Sequence, residues 1–255
     1  MITLTIGGVH KGGVGKTTAA VTIGHGLALI GYDVIIVDLD SQGHVAYYLG
    51  LERKPGIERL LKNGTPAQEC TMVAREPNLA IIPSDQSTAQ LEKDLLWMRF
   101  REQRLKHALE PLRDNGPDFI ILDTAPGASP LHDAAMAASD YVLAIVEAST
   151  ASLDGLALLT RTIAEFQGMG HSVGLMGVVP TMLDDRTIAS TNAVNTLKAT
   201  EEDLAPIYPG IHRATIFQRL VAEGKTVWEL DRETKTRATR EYSAVIRKLL
   251  EELRP

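Results

Sequence analysis

Hydrophobic residues along this chain fall into two alternating kinds of segment, which are short continuous apolar runs and longer stretches with a helical repeat. The short runs are rich in β-branched residues and predict strands. These strands cover residues 2–9, 34–38, 79–83, 118–123, 141–146 and 173–180. The helical repeats predict helices over residues 16–30, 87–110, 131–138, 152–168, 187–200 and 239–253.

This alternation predicts an α/β fold. Strands that are apolar along their whole length must be covered on both faces, so we expect a doubly wound, mostly parallel, twisted sheet with helices on both faces. Ligands of such sheets bind beyond the carboxyl ends of the strands. Because no repeat or linker divides the chain, we expect a single domain over residues 1–255, with residues 50–78 as an excursion from the sheet.

Composition narrows the class of protein. Hydrophobic residues make up 44% of the chain and charged residues 23%, as in ordinary globular proteins. The single cysteine, Cys70, excludes an internal disulfide framework and suits a reducing compartment. A strand is predicted from residue 2, and no apolar run approaches the roughly 20 residues of a membrane span. We therefore expect a cytoplasmic protein.

A glycine-rich segment between the first strand and the first helix carries the strongest chemical signal. It reads Lys11-Gly12-Gly13-Val14-Gly15-Lys16-Thr17-Thr18. Consecutive backbone N–H groups before a helix N-terminus bind phosphate, and Thr17 is placed to coordinate Mg²⁺. His10 stands where the general pattern G-x-x-x-x-G-K-[ST] has glycine, whereas the deviant pattern K-G-G-x-G-K-[ST] is matched completely. The segment predicts a nucleotide site.

Carboxylates follow two of the predicted strands. The second strand ends in Asp38-Leu39-Asp40-Ser41-Gln42-Gly43, where one carboxylate can support hydrated Mg²⁺ and the other can orient the attacking water. Residues 119–126, with the sequence FIILDTAP, have the form of a Walker B strand, and Asp123 would hold Mg²⁺ through water. Residues 124–127 would then sense the γ-phosphate. Beside the phosphate loop, these segments predict metal-dependent nucleotide hydrolysis.

On these motifs the chain resembles the ParA/MinD group of deviant Walker A ATPases, and within it the short ParA-type partitioning proteins. The resemblance spans nearly the whole chain, and its last two landmarks favour ParA over MinD. The landmarks are KGGVGKTT (11–18), DLDSQG (38–43), ILDTAP (121–126), GVVPTMLDDRT (177–187) and AEGKTVWEL (222–230). The resemblance implies a P-loop NTPase fold, ATP hydrolysis with ATP and Mg²⁺ as cofactors, and an ATP-dependent homodimer with nucleotide between the subunits.

The resemblance also implies catalytic and metal-binding roles. Lys11 would reach across to the partner's phosphates, Lys16 would bind the β- and γ-phosphates, and Asp40 would position the hydrolytic water. Thr17, Asp38 and Asp123 would lie on the metal side.

Adenine contacts are expected from Pro180, Thr181 and Met182 and from the loop at Arg213. Two residues depart from the family pattern. Ser41 stands where proline is frequent, and the loop at His212-Arg213 lacks the usual proline.

Charge is distributed unevenly in this chain of net charge −6. Residues 210–248 contain nine Lys/Arg and five Asp/Glu, whereas residues 1–209 contain sixteen and twenty-five. ParA-type proteins bind DNA nonspecifically as ATP dimers, and the basic segment is the candidate DNA surface, although pairing with nearby acids on a solvated face also explains such a run. The candidate DNA-binding residues are Arg213, Arg219, Lys225, Arg232, Lys235, Arg237, Arg240 and Arg247, with Lys248 beside them. Residues 99–106 can join this surface, although a solvated amphipathic face explains their pattern equally well.

The function that these observations favour is an ATP-driven, nucleoid-associated switch that partitions or positions cargo, with hydrolysis stimulated by a ParB-like partner. A MinD-like membrane ATPase is the alternative, although the tail over residues 242–255 resembles a core-packing helix more than a membrane anchor. An iron–sulfur relative would need paired cysteines. A metabolic amidoligase would need a small-substrate pocket for which no motif is present.

Overall fold

A seven-stranded sheet forms the centre of the computed structural model, which describes residues 1–8, 12–74, 78–114, 116–149, 151–201, 205–230 and 236–254. The strand order across the sheet is β3-β4-β2-β5-β1-β6-β7, and the pairings are parallel except that of β3 with β4. The strands are β1 (Ile2–Gly8), β2 (Val34–Leu39), β3 (Met72–Val73), β4 (Leu79–Ile82), β5 (Phe119–Thr124), β6 (Tyr141–Glu147) and β7 (Gly174–Thr181).

Helices connect the strands and cover both faces of the sheet. The described α-helices are α1 (Lys16–Leu29), α2 (His44–Tyr48), α3 (Gly56–Leu61), α4 (Ala67–Cys70), α5 (Ser87–Leu95), α6 (Arg104–Leu109), α7 (Pro130–Ala138), α8 (Ala151–Gly168), α9 (Ile188–Glu201), α10 (Ile216–Ala222) and α11 (Arg237–Glu252). Short 3₁₀ turns occur at residues 101–103, 110–112 and 227–229. None of the described helices is both long enough and apolar enough to cross a membrane.

Alternation along the central strands divides the interior into separate cores. Val34 and Ile36 of β2 face a core that contains α1 and α11, whereas Ile35 and Val37 face a second core that contains α5, α6 and α7. Neighbouring side chains of a strand point to opposite faces, so a strand buried on both faces must be apolar at every position. Polar side chains on β2 are therefore confined to its carboxyl end.

The predicted doubly wound, mostly parallel sheet is confirmed, and the predicted strands and helices are observed with small shifts at their ends. Two expectations need correction. The predicted helix over 87–110 is divided, because Phe100 has a left-handed backbone with φ of 54° between α5 and α6. The segment over 50–78 is not wholly an excursion from the sheet. It contains α3 and α4, but its strand β3 joins the sheet as an antiparallel edge strand.

Candidate functional site

The loop after β1 leads into α1 through glycines with left-handed backbones. Gly13 has a φ of 81°, and Gly15, the residue before α1, has a φ of 96°. Side chains other than glycine are strained in this region, so the sequence requires glycine where the chain turns into the helix. Residues 12–18 line a cleft of about 810 Å³, which lies at the helix N-terminus as the sequence predicts. The predicted catalytic Lys11 lies outside the described residues.

Two buried carboxylates face each other beside this loop. The parallel register pairs Asp38 of β2 with Asp123 of β5, and both side chains are 0% exposed. By alternation they share the sheet face of Val34 and Ile36, which is the face that α1 covers. The sheet thus brings two of the three predicted metal-side residues together next to the third, Thr17, which lines the cleft.

The two carboxylates differ in their hydrogen bonds. Asp38 accepts from the backbone N–H of Asp40 and of Val45, both at 3.0 Å. Neither oxygen of Asp123 makes a hydrogen bond of normal geometry, although the nearby Thr17 hydroxyl favours its ionised form. Burial raises the pKa of Asp38 to about 7, although the two backbone donors lower it. Burial and then the Asp38 charge raise the pKa of Asp123 well above its ordinary value.

Lys16 is a cation beside the two carboxylates. Its side chain is buried, and burial lowers the pKa of its ammonium group while Asp123 and Asp40 act in the opposite direction. A cation stabilises the ionised form of a buried acid that lacks a hydrogen-bond donor, and Mg²⁺ prefers carboxylate, hydroxyl and water oxygens. The free oxygens of Asp123 beside Thr17 therefore fit Mg²⁺, whereas Asp38 is already held by backbone amides.

Asp40 lies in a tight turn just after β2. Its carboxylate accepts from the backbone N–H of Gln42 at 3.0 Å, and its carbonyl accepts from the hydroxyl of Ser84. Gly43 has a φ of 62°, and a Cβ there would lie 2.7 Å from the Ser84 carbonyl oxygen. Asp40 lines the cleft with its backbone fixed by this turn, so the arrangement can hold a water against a bound phosphate.

The segment after β5 also reaches the cleft. Thr124 and Pro126 line it, and Pro126 lies beside Gly12 of the phosphate loop. Gly127 has a φ of 96° with open space around it. This segment thus lies beside the phosphate loop, and its role in sensing the γ-phosphate stays a prediction.

The far end of the cleft contains three of the four residues predicted to contact adenine. Thr181, Met182 and Arg213 line the cleft, whereas Pro180 is not among the lining residues described. The Pro180 carbonyl instead accepts from the backbone N–H of Ile211 at 2.8 Å, which fixes residues 211–213 alongside β7. The Thr181 hydroxyl donates to the carbonyl of Val14 at 2.8 Å and so supports the phosphate loop.

Several lining residues had no signal in the sequence. Tyr48, Phe217, Gln218 and Tyr242 contribute to the cleft, and so does His212, which the sequence marks only as a departure from the family pattern. They come from α2, from the loop before α10, from α10 itself and from α11, and only the folded chain brings them together. Ser84 and these residues carry no local pattern that distinguishes them from ordinary helix and loop positions.

The landmark at residues 222–230 packs on the helix that follows the phosphate loop. The indole Nε1 of Trp228 donates to the carbonyl of Thr22 at 2.7 Å. His25 Nδ1 and the Thr226 hydroxyl lie 2.7 Å apart in the interior. These contacts attach the basic segment over residues 210–248, called the basic C-terminal third below, directly to α1.

The candidate DNA-binding residues fall into three groups. Arg219 and Lys225 pair with Glu223, and Arg237 pairs with Asp185 and Glu241. Arg213, Arg240 and Arg247 are exposed and form no ion pair with another described residue. Lys248 pairs with Glu252 at 2.5 Å, and Arg232 and Lys235 lie outside the described residues.

Comparison with known proteins identifies the family of this chain. A family model described as an AAA domain matches residues 4–172. The chromosome partitioning protein ParA of Caulobacter vibrioides is 34% identical over 195 residues, which cover 74% of this chain and 73% of that protein. The chain belongs to the ParA family of partitioning ATPases. The predicted ATP hydrolase activity is that of this family.

Solved structures agree with this assignment. Apo McdA of Cyanothece has a TM-score of 0.86 over the full length of both chains at 24% identity, which shows the shared fold. A cobyrinic acid a,c-diamide synthase of Mycobacterium smegmatis, solved with an ATP analogue and magnesium, has a TM-score of 0.84 at 25% identity and covers 98% of this chain and 94% of its own. ATP and Mg²⁺, the predicted cofactors, are those of such complexes.

Proposed function

We propose that this ParA-family chain is an ATP-dependent dimerising switch that binds DNA nonspecifically and partitions or positions cargo. A ParB-like adaptor would stimulate hydrolysis and choose the cargo. The observation that carries this proposal is the pair of buried carboxylates, Asp38 and Asp123, aligned across two strands beside Thr17 and Lys16. In this proposal Thr17 and Asp123 supply the metal side of the site, and a second subunit closes the side that faces solvent.

Each residue of the site has a separate role in the proposed hydrolysis. The backbone N–H groups of residues 12–18 cradle the phosphates, and Lys16 neutralises charge at the β- and γ-phosphates. Thr17 and Asp123 hold Mg²⁺, which when bound offsets the negative charge of the phosphate oxygens. Asp38 shapes the turn that presents Asp40, because its carboxylate holds the Asp40 amide. Asp40 orients the attacking water and accepts its hydrogen bond.

Dimerisation is proposed to complete the site through Lys11. A lysine supplied by the second subunit would make assembly and hydrolysis depend on each other, because the transferring phosphate needs charge neutralisation from several sides. Lys11→Ala is expected to bind ATP but to remain monomeric by light scattering. A dimer that survives this substitution contradicts the role of Lys11 in the partner's site.

DNA binding is proposed for the exposed arginines of the C-terminal third. Arg213, Arg240 and Arg247 are the strongest candidates, because they are exposed and unpaired among the described residues. Arginines that are free of ion pairs can neutralise DNA phosphates and release counterions. Trp228 is hydrogen-bonded to Thr22 of α1, the helix that follows the phosphate loop. A change at the nucleotide site would be transmitted through this contact to the basic surface.

Two other functions are less well supported. A MinD-like terminal membrane helix is disfavoured, since the apolar residues Tyr242, Val245 and Leu249 of α11 are buried in the core that α1 shares. A synthase like the mycobacterial neighbour is disfavoured because the more similar relatives are named as partitioning proteins.

The deciding experiment is fluorescence anisotropy of a random-sequence duplex titrated with the protein, with Mg²⁺ and either ATP or ADP, at two salt concentrations. We expect binding with ATP only, and a steep loss at the higher salt. Absence of binding in both nucleotide states would contradict the DNA-carrier function while leaving the ATPase assignment intact.

A further inference from the structure

A short turn after α5 exposes three large apolar side chains. Trp97 is 90% exposed, Phe100 is 70% exposed and Leu96 is 52% exposed. Met98 lies between them in sequence but packs against the core, so the turn is anchored while its neighbours face solvent. Clustered apolar residues of this size on a soluble protein mark an interaction surface. We call residues 96–101 the aromatic turn.

Two hydrogen bonds support the conformation of the aromatic turn. The backbone N–H of Trp97 donates to the Asp94 carbonyl at 3.1 Å, and Arg101 Nη1 donates to the Leu96 carbonyl at 3.4 Å across the turn. Phe100 has a φ of 54°, a conformation that is unfavourable for a bulky residue. Backbone strain that the surrounding structure maintains is concentrated at functional positions. The apolar side chains are therefore presented outward and do not collapse onto the core.

Charge around the aromatic turn is positive, although the chain as a whole has a net charge of −6. Residues 93–106 contain five Lys/Arg and two Asp/Glu. One of those acids, Asp94, is paired with Lys62 at 2.8 Å. Arg99 is exposed and forms no ion pair with any described residue. A partner that fits this surface must be negatively charged and must accept apolar side chains.

We propose that the aromatic turn docks on an anionic lipid surface. Leu96 and Phe100 would enter the boundary of the acyl chains, Trp97 would lie at the level of the headgroups, and Arg99 would contact lipid phosphates. A second copy of the chain would present the same positive charge, which opposes pairing of two such turns. A DNA duplex would engage Arg99 but would leave Leu96 in water.

This surface differs from a terminal membrane helix. The apolar face of α11 is buried, whereas the aromatic turn lies between α5 and α6 and needs no rearrangement to be exposed. A single turn of this size supports weak, reversible binding, so two turns in one dimer would bind far more strongly than one. The proposal stands without DNA binding, because its residues are separate from the basic C-terminal third.

The test is co-sedimentation of the full chain with vesicles of phosphatidylcholine and phosphatidylglycerol, and with vesicles of phosphatidylcholine alone, at low and high salt. We expect binding to the anionic vesicles only, with a blue shift of tryptophan emission. The double variant Trp97→Ser with Phe100→Asn should weaken binding by about tenfold or more. Asparagine suits the backbone of residue 100. Arg99→Gln should reduce the dependence on salt.

Met169→Ser is the matched control, because Met169 is a 63% exposed apolar residue elsewhere on the surface. It should bind vesicles as the parent chain does, and all variants should retain ATP binding if they are folded. The proposal is wrong if the parent chain does not sediment with anionic vesicles, or if the double variant sediments equally well. It is also wrong if the double variant loses self-association or duplex binding and keeps vesicle binding.

Discussion

Asp38 and Asp123 lie opposite each other on two adjacent parallel strands, with no solvent exposure of either side chain. Only Asp38 has backbone donors for its oxygens. Without Mg²⁺, the two carboxylates repel each other when both are ionised, the Lys16 charge offsets this repulsion only in part, and burial already disfavours their charged forms. The metal-free protein therefore carries a destabilising feature at the centre of its site.

The first prediction concerns pH. Because the folded pKa of Asp38 is about 7, above its ordinary value of 3.8, the folded state binds more protons than the unfolded state between these limits. Stability of the metal-free chain should therefore fall as pH rises from about 4 to about 7. Asp123→Asn removes the carboxyl group that is coupled to Asp38 without losing a normal hydrogen bond, so it should weaken this pH dependence and raise the metal-free stability near pH 8. Urea denaturation in EDTA measures both effects.

Magnesium gives the complementary measurement. Adding Mg²⁺ near pH 8 should stabilise the parent chain and have little effect on Asp123→Asn. Asp114→Asn, which neutralises an exposed carboxylate, is the control and should behave as the parent chain. Equal stabilisation of all three proteins by Mg²⁺ would remove Asp123 from the metal site.

The sequence predicts this part of the site well because each residue lies next to a local pattern. Asp38 and Asp123 follow apolar runs that can only be buried strands, and adjacent parallel strands end at the same edge of a sheet. Lys16 and Thr17 are fixed by the glycines before them. Alternation alone then places both acids on the face that α1 covers, and the observed register adds only their direct alignment.

Other parts of the structure depend on contacts that no local pattern records. Ser84 reaches Asp40 across 44 residues, and Trp228 reaches Thr22 across 206. Strand β3 contains only two residues, which is too short for a period to be detected. The break between α5 and α6 was missed because apolar residues continue at helical spacing through a position whose backbone is left-handed.

The second prediction concerns the turn that holds Asp40. Asp40→Asn keeps the oxygen that accepts from Gln42, so the turn should persist while the carboxylate that orients water is lost. We expect kcat to fall by about 100-fold with ATP affinity retained, and the ATP-bound dimer to accumulate. Steady-state ATPase assays with size-exclusion chromatography test this. Unimpaired turnover would exclude Asp40 from the mechanism.

Ser84 gives a third prediction, because its hydroxyl supports the same turn through the Asp40 carbonyl. Ser84→Ala should lower kcat by about tenfold through misplacement of Asp40, with little change in KM. Ser87→Ala is the control on the same segment, since the Ser87 hydroxyl bonds only to Asp85 among the described contacts. If the two variants have the same kcat, Ser84 has no positioning role.

The fourth prediction tests the packing of the C-terminal segment on α1. A Cβ at Gly26 would lie 2.4 Å from Ile246 Cδ1 and 2.9 Å from Trp228 Cζ2, so Gly26→Ala must displace the side chains of Ile246 and Trp228. We expect a loss of about 1–3 kcal/mol in the free energy of unfolding. Gly168→Ala is the matched control in a helix, because no atom lies within 4 Å of its added Cβ.

Denaturation curves of the two alanine variants distinguish packing from helix propensity. Gly168→Ala should be neutral or stabilising by up to about 1 kcal/mol, since alanine is the better helix former. If Gly26→Ala is equally stable, the contact between α1 and residues 226–228 is looser than the structure describes. That result would also weaken the proposed route from the nucleotide site to the basic surface.

The last prediction concerns DNA. Arg240 and Arg247 are exposed and unpaired among the described residues, so each is free to contact a phosphate without breaking an ion pair. Arg240→Gln and Arg247→Gln should each weaken ATP-dependent duplex binding and reduce the slope of log affinity against log salt by about 1. Arg113→Gln, an arginine outside the basic third that pairs with Glu110, is the control. Equal losses in all three variants would indicate a general charge effect, and the C-terminal third would then be an ordinary solvated surface.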